Sequence, residues 1–337
     1  MTPSHSPSPD RPHTLGTIDS LIGKNGQTGT GIYLLSGYTE HVGHSGQPRL
    51  QLTLEDARGR VTGFVWPEAR SAMTCPAMPS PVSVRATVQI FEERAQLKVQ
   101  GLAPLDLSHV PSATELLPRH RCPEIAHPAL DRLTHLEHDL PAPLDGFLRE
   151  VLLDPRISLP FMRCRASVNH HHAFVGGLLV HSTEMLDLAH EITRRSIPDD
   201  DWSSYLAQLG YLLHDLGKLR SVGELRRPRY GLVVPHEIMT IEMLTPHLRS
   251  LEQRAPDLAV ALRHLFAHMA TPHRVRTTPQ HVIAQVVTRL DQWSTATHNR
   301  RDLRHLLNGS RKFPHRQTRR LRAVTDSHRQ PWAQNEG

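Results

Sequence analysis

The chain has 337 residues, 39 Lys and Arg against 33 Asp and Glu (a formal net charge of +6), and 38% hydrophobic content. That is apolar enough for buried cores in two or three domains, and the charge favours polyanionic partners. The three cysteines show no CxxC spacing, which suggests neither a disulfide framework nor a zinc ribbon. No apolar run approaches the roughly 18 residues of a membrane span, and the start "MTPSHSPSPDRPHT" lacks the apolar core of a secretory signal. A reduced, cytoplasmic setting without a membrane partner is therefore expected.

In chain order, residues 1–15 are rich in Pro and Ser and read as disordered. Residues 16–106 read as β-structure. "GTGIYLLSGYTEHV", "RLQLTLED", "VTGFVW", "PVSVRATVQIFE" and "AQLKVQGL" are strand-like, separated by the turns "GHSGQP", "ARGR" and "ERA". Five short strands suit a small antiparallel barrel, of which the OB-fold is the commonest five-stranded form. Barrels of this kind stack bases on aromatics and track phosphates with basic groups. The candidate contacts are Tyr33, Tyr38, Arg49, Phe64, Trp66, Arg85 and Lys98.

Residues 107–142, rich in Pro and His, read as a linker with one short helix. Beyond Pro143 the apolar residues recur at three- and four-residue steps. Helices are expected at 143–154, 173–195, 201–214, 236–252, 256–270 and 280–296, making 143–299 an all-α domain. The fold class expected is α+β in two domains, an OB-like barrel followed by the helical one. Residues 300–337 are crowded with Arg and read as a basic, flexible tail suited to nucleic acid.

The chain holds 25 histidines, so a lone His at any spacing carries little information. Combinations with Asp in an apolar helix carry more. "LLHDLGKL" sets His214 and Asp215 among four leucines. Burying an imidazole beside a carboxylate is costly unless something satisfies both, and a divalent cation does so. Lys218, four residues after His214, lies on the same helical face and can meet a substrate phosphate. His181 in "GGLLVHS" and Asp291 in "VVTRLDQWST" add an imidazole and a carboxylate from other apolar helices.

The set "GGLLVHS", "HDLGK" and a late helical Asp resembles the HD-domain metal-dependent phosphohydrolases over roughly residues 160–296. The resemblance implies His181, His214, Asp215 and Asp291 as metal ligands. For a second ion it implies His236 and then His268, with His264 as competitor. His171 and His172 align with the family's "HHA" and are implied, with Lys218, in handling the phosphate; a second-shell or plain capping role for the triplet from His170 to His172 stays open. A barrel followed by "NHHHAFVGGLLVHS" is similar to the YhaM-type 3′–5′ exoribonucleases, and the HD stretch also resembles MobH-type, TraI-like conjugative relaxases. The resemblance implies a hydrolase of single-stranded RNA or DNA using one or two divalent ions, manganese before magnesium, iron or zinc. Relaxase-like DNA processing, or nucleic-acid binding by a non-catalytic HD domain, are the alternatives. Homo-oligomerisation is left open.

Overall fold

Five strands close into a barrel in the computed structural model, which describes residues 13–42, 48–70, 73, 76–271 and 281–299. They are β2 (Thr28–Val42), β3 (Pro48–Asp56), β4 (Gly59–Val65), β5 (Ser80–Phe91) and β6 (Arg94–Pro104), preceded by the short β1 (His13–Thr14) laid parallel on β2. The long β2 serves two neighbours: residues 28–35 pair with β5 and 34–42 with β3. An irregularity between Leu35 and Gly37 lets it bend between them. The order β2-β3-β4-β6-β5 then returns to β2, the topology of an OB-like barrel.

Alternation along the strands sends Leu50, Leu52, Leu54, Val61, Val65, Val84, Val88, Leu97 and Val99 inward. Each such side chain contributes about 1.5–3 kcal/mol on burial. Leu15 is buried with them and His13–Thr14 pairs with Gly29–Thr30, so residues 13–15 are ordered where a disordered start was expected. Residues 1–12 and the basic tail at 300–337 lie outside the described residues, as does Cys75.

The expected linker is folded. After the short α1 (Pro67–Arg70) and a series of 3-10 turns comes α2 (His127–Asp139), whose Leu130, Leu133 and Leu136 are buried in the helical core with Leu116 and Leu117. The buried Glu137 carboxylate accepts hydrogen bonds from Ser112 Oγ at 2.8 Å, Ala113 N at 2.5 Å, and Thr114 N and Oγ1 at 2.9 and 2.7 Å. Prolines and histidines on the outward side had concealed a helical apolar face.

The remaining helices are α3 (Leu144–Leu152), α4 (Ser158–Arg163), α5 (Gly177–Thr183), α6 (Leu186–Ser196), α7 (Asp201–Leu213), α8 (Lys218–Ser221), α9 (His236–Arg254), α10 (Pro256–Ala270) and α11 (Val282–Asn299). The single helix expected over 173–195 is two, α5 and α6. Residues 173–176 are turn, and Met185 leaves the helical region (φ −116°, ψ 15°).

Barrel and helical region pack as one unit through His298. Leu34 of β2 belongs to the helical core. Ala57 N donates to Glu115 O at 2.8 Å, and the buried Glu55 carboxylate meets His120 Nε2 at 3.0 Å and Arg121 Nε at 2.9 Å. No helix among the described residues is long and apolar enough to cross a membrane.

Candidate metal centre

Two close approaches of backbone shape the site. At the start of α5, Gly176 takes φ +86°, and Gly177 lies so near the preceding turn that a Cβ would stand 2.0 Å from His172 O. At the end of α7 the chain turns through His214–Gly217, where a Cβ on Gly217 would stand 1.8 Å from His236 O. Larger residues would push α5 and α9 off their neighbours. The Thr240 hydroxyl of α9 stitches this turn, accepting from Gly217 N at 2.8 Å and donating to His214 O at 3.0 Å.

These approaches bring His181, His214, Asp215 and Asp291 together, with one ligating atom from each lying within 4.8 Å of the others. His181 Nε2 is 3.2 Å from Asp215 Oδ2 and 3.4 Å from Asp291 Oδ1; His214 Nε2 is 3.4 and 3.5 Å from the same oxygens. Both Nε2 atoms are buried and neither makes a hydrogen bond. They approach the carboxylates without aligning to them, as ligands facing a common point do.

The outward nitrogens orient the rings. His214 Nδ1 is 2.7 Å from Tyr211 O, which can only accept, so Nδ1 carries a proton and Nε2 is the nitrogen turned to the cluster. His181 Nδ1 is 3.1 Å from Glu184 Oε1. That carboxylate also meets His172 Nε2 at 3.2 Å and accepts from Ser294 Oγ. Burial would raise the Glu184 pKa, but hydrogen bonds from His172, His181 and Ser294 hold it well below the usual range. An ionised carboxylate behind a ligating imidazole is the usual support of a metal-bound histidine. The donor set, two imidazole Nε2 atoms and two carboxylates, fits a divalent cation.

With no cation the carboxylates impose their charge on the imidazoles. Burial disfavours the His181 cation, yet Asp215, Asp291 and Glu184 together push its pKa up to about 11. Burial would likewise raise Asp215 and Asp291. Asp215 is nonetheless held down by the His214 and Lys218 charges and by the close His181 and His236 nitrogens, and Asp291 by the close His181 and His214 nitrogens.

Lys218 opens α8 with Nζ ion-paired to Asp215 Oδ2. His236 opens α9 with Nε2 2.9 Å from Asp215 Oδ1, so Asp215 presents one oxygen to the four-residue cluster and the other to His236. His268 is not brought to this cluster. It is buried on α10 beside His264, with ring centroids 6.4 Å apart, and among the described residues no group of close ligating atoms includes either. The ring of His171 lies 5.5 Å from that of His181. His172, at φ +53° and 9% exposed, directs Nε2 to Glu184, a positioning contact rather than a phosphate contact. Sequence reading missed Glu184 and Ser294. Each lies three residues beyond a ligand, Glu184 after His181 and Ser294 after Asp291, a spacing that shares a helical face and would have found them.

On the barrel, Gln51, Phe64 and Lys98 lie in register on one outer row. The Arg49 guanidinium is 4.7 Å from the Phe64 ring centroid and Lys98 Nζ is 5.6 Å from that of Trp66, with the two rings 6.1 Å apart. Tyr33 cannot join them: it is buried in the barrel core and its hydroxyl donates to Gly16 O at 3.0 Å. Tyr38 pairs with Leu52 on β3, and Arg85 lies across an irregularity in β5 from the row. Both side chains are exposed but make none of these ring contacts.

Residues 178–296 match the HD domain family. The chain is 25% identical over 237 residues to the 3′-5′ exoribonuclease YhaM of Bacillus velezensis and 27% identical over 235 residues to that of Bacillus subtilis, in each case 69% of this chain and 73% of the relative. Among solved structures, the second OB-fold domain of replication protein A from Methanococcus maripaludis aligns at 16% identity with a TM-score of 0.20, covering 24% of this chain and 87% of that one. The chain thus carries an HD domain, with His181, His214, Asp215 and Asp291 inside it, behind a five-stranded OB-like barrel.

Proposed function

We propose that this protein is a metal-dependent hydrolase of single-stranded nucleic acid, acting as a 3′–5′ exoribonuclease. The observation that carries the reading is the pair of buried Nε2 atoms on His181 and His214, each ring oriented by its Nδ1 contact and converging on Asp215 and Asp291. A divalent cation held there supplies Lewis acidity at a phosphoryl oxygen and activation of water. The chain's own residues do the rest. Glu184 orients His181, and Thr240 holds the turn that carries His214 and Asp215. Lys218, beside Asp215, balances charge on the substrate phosphate, and His171 lies close enough to His181 to assist. The Asp215 oxygen facing His236 offers a partial second position for a cation. Phe64 and Trp66, flanked by Arg49 and Lys98, suit unpaired bases and their phosphates. The similarity to the YhaM exoribonucleases favours RNA and the 3′ end.

The test compares labelled single-stranded RNA, single-stranded DNA and supercoiled plasmid with Mn or Mg, using Asp215→Ala as control. Progressive shortening of the RNA from its 3′ end, lost in the variant, is expected. A wild-type protein that binds strands tightly and cuts nothing would reduce the HD domain to a binding module. A single nick in plasmid would instead favour relaxase-like processing.

A further inference from the structure

Between the HD turn and α9 lies a basic and aromatic surface that neither the metal centre nor the barrel face uses. Its sequence, "LRRPRYGLV" from Leu225 to Val233, is pinned to α8. Arg227 donates to Gly231 O at 2.7 Å and to Ser221 O at 3.3 Å. Gly231 packs directly on the α8 backbone, where a Cβ would stand 2.3 Å from Ser221 Cα. Arg220 is held by Glu242 at 3.0 Å and lays its guanidinium 4.9 Å from the centre of the Tyr230 ring, which stays 45% exposed. Arg226 and Arg229 are exposed, and no carboxylate pairs with either among the described residues.

An aromatic ring braced by a guanidinium and left open to solvent is a stacking surface for an unpaired base, and free guanidinium groups beside it suit phosphates. The surface is joined to the metal centre on both sides. α8 begins with Lys218, paired to Asp215, and the chain runs on from Tyr230 to His236, whose Nε2 touches the same carboxylate. The exposed Leu232 and Val233 would also suit a protein partner, but the concentration of arginines favours a polyanion.

We propose that Tyr230, braced by Arg220, is a base-stacking platform at the mouth of the hydrolytic site, with Arg226 and Arg229 holding the flanking phosphates. This rests on the reading of the site as a single-strand hydrolase. A strand would then be gripped beside the metal centre as well as on the barrel.

The test measures binding of a labelled, cleavage-resistant phosphorothioate strand to the intact, Mn-loaded protein by fluorescence anisotropy, alongside a strand of equal length made of abasic sugars. Tyr230→Ala is expected to weaken the base-bearing strand by about 5- to 100-fold and leave the abasic strand unchanged. Tyr230→Phe and Tyr230→Trp retain binding, and the Arg226→Ala/Arg229→Ala pair weakens both strands. Undiminished binding of the base-bearing strand by Tyr230→Ala, or equal loss on both strands, overturns the platform; unchanged binding would point to a protein partner for this surface. Cleavage of an unmodified strand is read separately. Cleavage without any dependence of binding on Tyr230 removes the platform and keeps the hydrolase, while Tyr230-dependent binding without cleavage does the reverse.

Discussion

Glu184 touches no substrate, yet it decides which nitrogen of His181 is available. Replacing it with Gln keeps the shape but removes the charge that holds the proton on Nδ1. Metal affinity of Glu184→Gln is expected to fall about 10–100-fold, measured by competition with a chelating dye, while His214→Ala purifies without bound metal. Proton linkage gives a second check. The metal-free His181, pushed up to about 11, holds an extra proton at neutral pH that a cation must displace. Metal affinity should therefore rise with pH through the neutral range, and calorimetry in buffers of different ionisation enthalpy should detect a released proton. Absence of proton release would contradict the raised pKa of the metal-free His181. Without metal the sign reverses: the raised His181 pKa adds stability that is complete below its ordinary value of 6.5 and disappears as pH climbs through about 11.

At the level of elements, the β5–β6 hairpin holds a local conflict. Glu92 and Glu93 both adopt positive φ, 46° and 61°, between the paired residues Phe91 and Arg94. A two-residue turn of this kind prefers Asn-Gly, because L-residues lose roughly 1–2 kcal/mol in the left-handed region. Replacing Glu92-Glu93 by Asn-Gly is expected to stabilise the protein by about 1 kcal/mol or more, read as a raised denaturant midpoint; a lowered midpoint would show that the glutamates serve the fold in another way. Most elements were legible before the structure. The strands fell where apolar residues alternate, and α7, α9 and α10 begin at the expected residues because their apolar stripes are continuous. The break at Glu184–Met185 was not legible. It arises where Glu184 reaches partners 12 residues back and 110 residues ahead, which periodicity cannot register. The folded segment around α2 was misread because its prolines and histidines mark the solvent side while its leucines meet the core.

For the whole molecule, the junction between barrel and helices makes the two interdependent. Glu55 is buried on β3 and, among the described residues, its charge is answered from the other side, by His120 and Arg121. Glu55→Ala would leave those two side chains, both partly exposed, without their acid. A loss of about 1–3 kcal/mol is expected, discounted from a fully buried pair because the partners reach water. More telling is cooperativity: barrel and HD domain should unfold in one calorimetric transition, and Glu55→Ala should shift that transition as a whole. Two resolved transitions in the wild type would mean that the shared core around Leu34 does not couple them.

Sequence alone indicated the closed barrel, the helical domain and the four residues that the fold gathers into one His/Asp cluster, because each rests on local periodicity or on residue types that are costly to bury without a cation. Tertiary structure decided the rest. It withdrew Tyr33 into the barrel core, kept His268 out of the cluster, and braced Tyr230 on Arg220. The physical reason is distance along the chain: these outcomes depend on which faces meet after elements far apart in sequence pack together, and no local pattern records that.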